Sequence, residues 1–331
     1  MPAMYRIFGN ELSPYSVKVR SYFRYKQIPH EWIIRDPSVE EEFKRYAKLP
    51  LVPLVVTPDG QGIQDSTPII EHFEALHPEP SIHPPDAASA FLSALIEEYG
   101  DEWGNKPMFH YRWFYEADQE SAGERLARSM MPRLAAADVA NGVAMVKARM
   151  IPRLSFVGST AATKDQIEGS FKRQLAILDR HLAARTYLFG ARPAFADFGL
   201  WGQLYCAWTD PTAGALIEGR APTLLAWIQR MTWPRADGAF EAWSTLAPTL
   251  NPLLEADVGK LFLPWSVANA QAIARNDETF AATLDGKTWT QKPQKYHAKS
   301  LAALRARYAA VRDKELLDGV LERAGCLLWL S

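Results

Sequence analysis

The feature that most constrains this chain is a proline placed where a strand should run. Val52-Pro53 lies inside the apolar run Leu51-Val52-Pro53-Leu54-Val55-Val56, which residue preferences read as β. Proline donates nothing to a sheet ladder, so the dipeptide needs an edge or a special bend, a cis peptide being one form of it. The same device flanks it on both sides. Upstream, Tyr5-Arg6-Ile7-Phe8-Gly9 is a short β-favouring run. Ser13 then reads as a helix cap and Pro14 as the first helical residue, with Val17, Val19, Tyr22 and Phe23 at helical spacing. Downstream, Gln64-Asp65-Ser66-Thr67-Pro68 repeats polar cap and proline before Ile69, Ile70, Phe73 and Leu76. Both helix starts leave backbone N–H groups free and favour an anion.

Between these anchors, His30 to Arg35 reads as a second strand and Pro37 to Lys48 as a short helix, acidic early and basic late. Leu51 to Thr57 and Gly62 to Gln64 flank the turn Pro58-Asp59-Gly60, a hairpin pattern. The order is βαβ then ββα, on a mixed sheet of four strands. Pro78 to Pro85 is proline-rich and reads as a linker. From Ala87 strand signals nearly vanish. Phe91, Leu92, Leu95, Ile96 and Tyr99 form an amphipathic stripe, an aromatic block follows at Met108 to Tyr115, and helices are expected over 120–148, 163–184, 197–209, 222–232 and 237–246. Past residue 250, helices are expected over 265–274, 300–311 and 314–330, with a small hairpin or turn at Leu284 to Trp289. This tail is too apolar to be disordered and is expected to pack on the helical region.

Ser13-Pro14-Tyr15-Ser16, Val52-Pro53 and Asp65-Ser66-Thr67-Pro68-Ile69, in that order, resemble the N-terminal half of glutathione transferases. Arg192-Pro193-Ala194-Phe195-Ala196-Asp197-Phe198 resembles the helix-capping segment of their helical half, with Ala194 where a Ser or Thr usually stands. The resemblance implies an α+β chain with a thioredoxin-like domain (βαβ-ββα) over 1–84 and an all-α glutathione transferase C-terminal domain over 88–250. Past residue 250 the resemblance runs out, and the extra C-terminal helices of a third part, 251–331, are read from the residues alone. The resemblance also implies glutathione as co-substrate, a small hydrophobic electrophile as second substrate, and a homodimer. On the matching positions, Asp65 and Ser66 would take the γ-glutamyl end, Val52 with Pro53 the cysteinyl backbone, and Ser13 the thiol. A non-catalytic member that binds glutathione or a protein partner through the same fold is the alternative.

The chemistry asked of Ser13 is modest. Lowering a thiol pKa by about 2 units needs roughly 2.7 kcal/mol of preference for the anion. One hydrogen bond to a charged group offers about 1.5–3 kcal/mol, and a helix terminus about 0.3–2 more. Tyr5, Tyr15 and Ser16 are further hydroxyl donors. Tyr15, Trp103, His110 and Arg112 are candidates for the substrate pocket, although aromatics at helical spacing equally describe a core. Ser13 and Ser66 each also read as plain caps, and Glu97, Glu98, Asp101 and Glu102 as a solvated helix face.

Several classes are excluded. With 37 basic and 38 acidic residues the formal net charge is -1, which argues against a nucleic-acid or anionic-membrane partner. No apolar run reaches the roughly 18–20 residues of a membrane span. The seven histidines show no metal-ligand spacing, so no metal is expected. Gly158-Ser159-Thr160 with Lys164 lacks the second glycine of a phosphate loop. Two cysteines without a C-x-x-C pair, and a start that enters a strand with no signal-peptide core, make the cytoplasm the expected compartment.

Overall fold

The computed structural model describes residues 4–330. Its first part runs β1 (Tyr5–Gly9), α1 (Pro14–Tyr25), β2 (His30–Ile34), α2 (Glu40–Tyr46), β3 (Leu54–Val56), β4 (Gly62–Gln64) and α3 (Ser66–Leu76). The sheet order is β2-β1-β3-β4, with β1 parallel to β2 and the other pairs antiparallel. This is the thioredoxin-like βαβ-ββα arrangement. Alternation along β1 explains its two layers: Ile7 joins Val17, Val19, Tyr22, Phe23, Ile69, Ile70 and Phe73 under α1 and α3, whereas Phe8 turns to Leu54, Val56 and Phe43 of α2.

The helical part comprises α4 (Ala87–Glu102), α5 (Asn105–Phe114), α6 (Glu116–Met130), α7 (Val139–Met150), α8 (Lys164–Leu182), α9 (Phe195–Trp208), α10 (Pro211–Arg220), α11 (Pro222–Arg230) and α12 (Trp243–Leu253). The one helix expected over 120–148 is two, because Pro132 cannot continue α6. The α9 cap is closed from one side only. Asp197 accepts from Ala194 N–H at 2.8 Å, Leu188 N–H at 3.0 Å and the Trp227 indole at 2.9 Å; Ala194 offers no side-chain acceptor in return. Helix α9 crosses α4 at backbone contact, since a Cβ on Gly199 would stand 2.7 Å from the Glu97 carbonyl oxygen.

Beyond α12 a π-helical stretch, Leu254–Phe262, leads into α13 (Leu263–Arg275), then the hairpin β5 (Phe280–Leu284) and β6 (Lys287–Gln291), α14 (Lys295–Ala310), α15 (Glu315–Arg323) and α16 (Leu327–Leu330). Asp285 and Gly286, both at positive φ, form the hairpin turn. Gly325, at φ +65°, splits the helix expected over 314–330. The tail shares the core of α4: Tyr99 meets Phe262 at 6.2 Å between ring centroids, Trp103 meets Trp265 at 6.2 Å and Trp289 at 5.5 Å, and Phe91 meets Tyr308 at 5.6 Å. Helix α14 lies between α3 and α4. It touches α3 through Tyr296–Asp65 and Arg307–Glu71, and α4 through His297–Glu102 and Ser300–Glu98.

Candidate active site

Strand register assembles the site. Leu54 pairs with Phe8 on one side and Gln64 on the other. The chain leaving β1 toward Ser13, the Val52-Pro53 step entering β3, and the Asp65-Ser66 step leaving β4 therefore emerge at one sheet end, on strands spaced about 4.8 Å apart. The Gln64 side chain also fixes the approach to Val52. Its amide oxygen accepts from the N–H groups of Lys48 and Leu49, at 2.7 and 2.9 Å, and its NH₂ donates to the carbonyls of Leu49 and Leu51, at 2.8 and 2.9 Å.

Ser13 caps α1, its Oγ accepting the Ser16 N–H at 3.3 Å. The hydroxyl proton has no acceptor among the described residues, and helix geometry leaves the Tyr15 N–H without an intrahelical partner. The Val52–Pro53 peptide is cis. Neither the N–H nor the carbonyl of Val52 is paired among the described residues. Asp65 adopts φ +80°, a region costly for a residue with a Cβ. Although it stands at the N-cap of α3, its carboxylate makes no cap bond there. That carboxylate instead accepts the Tyr296 hydroxyl of α14 at 2.7 Å. Ser66 follows as the first residue of α3 and is buried.

Behind these turns lies a buried ionic junction. Lys18 of α1 donates to Thr67 Oγ1 of α3 at 3.1 Å, to Asp101 of α4 at 2.6 Å, and to Glu97 of α4; Thr67 Oγ1 in turn donates to Glu97 at 2.8 Å. The Lys18 side chain is wholly buried. Glu97, Glu98, Asp101 and Glu102 do not form the solvated face their spacing suggested: all four are buried, because α1, α9 and α14 close around α4.

These carboxylates make stability depend on pH. Burial raises Glu98 and Asp101, and pushes Asp197 up to about 7 against its three hydrogen bonds. The folded protein then keeps protons that the unfolded chain releases near pH ~4, so their contribution is lost as pH rises toward the folded values. His30, His83 and His110, lowered by burial, and His181 and His297, lowered by burial to about 4 from 6.5, act in the opposite sense, an effect that fades as pH rises past 6.5. The thermal midpoint is therefore expected to fall from about pH 7 to 8. A flat or rising profile across that interval, in a scan at constant ionic strength, would contradict the assignment.

The residues proposed for a substrate pocket are placed differently from one another. The Tyr15 hydroxyl reaches toward α4, donating to the Asp101 carbonyl at 3.1 Å and accepting from Asn105 at 3.3 Å, and burial raises its pKa. Trp103 is enclosed in the core with Trp265 and Trp289. His110 is likewise buried, with Nδ1 2.7 Å from Ser159 Oγ and Nε2 3.4 Å from Glu168. Arg112 acts as a brace, donating to Asp210 at 2.7 Å, the Cys206 carbonyl at 2.9 Å and the Leu12 carbonyl at 2.7 Å. It thus holds the loop beside Ser13 without facing a cleft. Of the fallback hydroxyls, Ser16 is fully buried and Tyr5 begins β1, the end remote from Ser13. Two cavities, of 370 Å³ beside Tyr111, Tyr115 and Thr212 and of 690 Å³ beside Lys26, Glu79 and Arg235, lie away from Ser13 and Ser66. Sequence reasoning missed Lys18, Asn105 and Tyr296. Of these only Lys18 carried a local signal, a charge one residue from two core valines.

The chain matches two family models, the glutathione S-transferase N-terminal domain over residues 7–81 and the glutathione S-transferase C-terminal domain over residues 161–230. The chain belongs to the glutathione transferase family. Residues after 230, the extension included, lie outside both matches. Among solved structures, this transferase chain is similar to a glutathione S-transferase from Rhodospirillum rubrum F11, at 20% identity over 68% of this chain and 86% of that one, with TM-score 0.43. It is also similar to a glutathione S-transferase from Methylobacterium radiotolerans in complex with glutathione sulfonate, at 21% identity, 72% and 99% coverage and TM-score 0.40. The beta-etherase LigF from Sphingobium sp. strain SYK-6 is similar at 18% identity, 69% and 94% coverage and TM-score 0.48. No curated protein sequence matches the chain. Among the described residues there is no group of three or more His, Cys, Asp or Glu side chains that could hold a metal ion, and no helix long and apolar enough to cross a membrane.

Proposed function

We propose that this transferase family member binds glutathione at the shared sheet end and that the Ser13 hydroxyl holds its sulfur as a thiolate for attack on a small hydrophobic electrophile. The observation that carries this reading is the bonding of Ser13 itself. Its oxygen is occupied by the Ser16 N–H while its proton has no acceptor among the described residues, so the hydroxyl is set to donate to an anion at the positive end of α1. The unpaired N–H and carbonyl of Val52, beside Pro53, suit the cysteinyl backbone. Ser66 and the free N–H groups of α3 suit a carboxylate, and Asp65 an ammonium group. In the reaction the S–H proton leaves to solvent, the sulfur bonds to the electrophilic carbon, and the displaced group departs with its electron pair.

A homodimer in the cytoplasm completes the proposal. Both cysteines, Cys206 and Cys326, are free and buried, which suits a reducing compartment. Because α14 covers the groove between α3 and α4, a second copy would have to pack on another face. The rival reading, a non-catalytic glutathione binder or interaction module, is favoured by the Tyr296 contact on Asp65.

Ultraviolet titration of the glutathione complex separates the two. An apparent thiol pKa well below about 8.5 supports activation, and Ser13→Ala is then expected to lower turnover roughly ten-fold or more with glutathione affinity largely kept. Equal turnover in the variant would remove Ser13 from the chemistry. Tight binding with an unshifted thiol would favour the binding role.

A further inference from the structure

We propose that Tyr296, carried by the C-terminal extension, belongs to the ligand site and competes with the ligand's ammonium group for the Asp65 carboxylate. The inference rests on the glutathione reading of that site and adds a residue from outside both matched domains. Asp65 is held at φ +80° with its carboxylate released from helix capping. Among the described residues that carboxylate has a single hydrogen-bond partner, the Tyr296 hydroxyl at 2.7 Å, from 231 residues further along the chain. A phenol on a carboxylate is a charge-assisted bond, and an arriving ammonium must displace it or share the oxygens with it.

The extension is built so that the phenol can leave alone. Tyr296 stands in the first turn of α14 and is 54% exposed, so its ring can rotate outward without opening the core. The helix that carries it is fixed independently, by His297 on Glu102, Ser300 on Glu98, Arg307 on Glu71 and Tyr308 against Phe91. A ligand without an amino group at this end gains nothing by expelling the phenol. Tyr296 thereby sets how much the amino group contributes to affinity.

The test is calorimetric titration of the full-length protein and its Tyr296→Phe variant with glutathione and with an analogue whose γ-glutamyl amino group is replaced by hydrogen. Tyr296→Phe is expected to tighten glutathione about ten-fold, as loss of a competing charged hydrogen bond requires, and to leave the analogue within two-fold (roughly, from the same argument). In an Asp65→Asn background the tightening is expected to disappear. Glutathione bound with equal affinity by both proteins would overturn the competition alone. Weaker binding by Tyr296→Phe would overturn it too, by making the phenol a ligand contact. If neither protein binds glutathione, both the competition and the glutathione reading fall.

Discussion

Replacing Lys18 by methionine is expected to destabilise the protein by about 3–5 kcal/mol, the usual cost of removing one partner from a buried ion pair. Methionine keeps the length and volume of the side chain, so the packing of α1 against α9 is not the variable. What changes is the charge balance, because Lys18 faces both Glu97 and Asp101. Without it two buried carboxylates remain, with Thr67 as donor. Asp101, already raised by burial, would hold its proton more firmly without the lysine, so the defect should be small near pH 5 and grow toward pH 8: a group whose folded pKa is raised loses its contribution as pH rises. Thermal and denaturant unfolding of Lys18→Met should show a midpoint lowered by roughly 10 °C at pH 8. The triple variant with Glu97→Gln and Asp101→Asn should recover most of it. A single variant as stable as the parent at pH 8 would mean that water, not Lys18, solvates these carboxylates.

The larger effect is expected from deleting the extension. A chain ending at residue 250 loses Phe262, Trp265, Trp289 and Tyr308, which cover Tyr99, Trp103 and Phe91 of α4. It also uncovers Glu98 and Glu102 beside a wide apolar face, and exposed patches of that kind drive aggregation. Insoluble or molten product is the expected outcome, read by yield, near-ultraviolet circular dichroism and dye binding. A soluble, cooperatively folding truncate with altered substrate affinity would instead make the extension a dispensable lid.

Sequence by itself determined the thioredoxin-like half and the order of its three turns. Ser13-Pro14, Val52-Pro53 and Asp65-Ser66 are local signals: each states a cap, a missing donor or a helix start within a few residues, and the strands they join lie close along the chain. The half-closed cap of α9 was legible in Asp197 for the same reason. The hairpin at Asp285-Gly286 was partly so, since its turn residues speak for themselves while its strand ends do not.

The tertiary structure decided what surrounds those turns. Glu97, Glu98, Asp101 and Glu102 have the spacing of a wetted helix face, and no local rule reveals that α1, α9 and α14 enclose it. Trp103, His110 and Arg112 were attractive as a pocket because aromatic and cationic side chains serve pockets and cores alike; burial made the first two core residues and the third a brace for the Ser13 loop. Tyr296 carried no signal at all until α14 was laid across Asp65. Caps and turns are fixed by bonds between near neighbours, whereas desolvation and charge pairing depend on which distant segment arrives to exclude water.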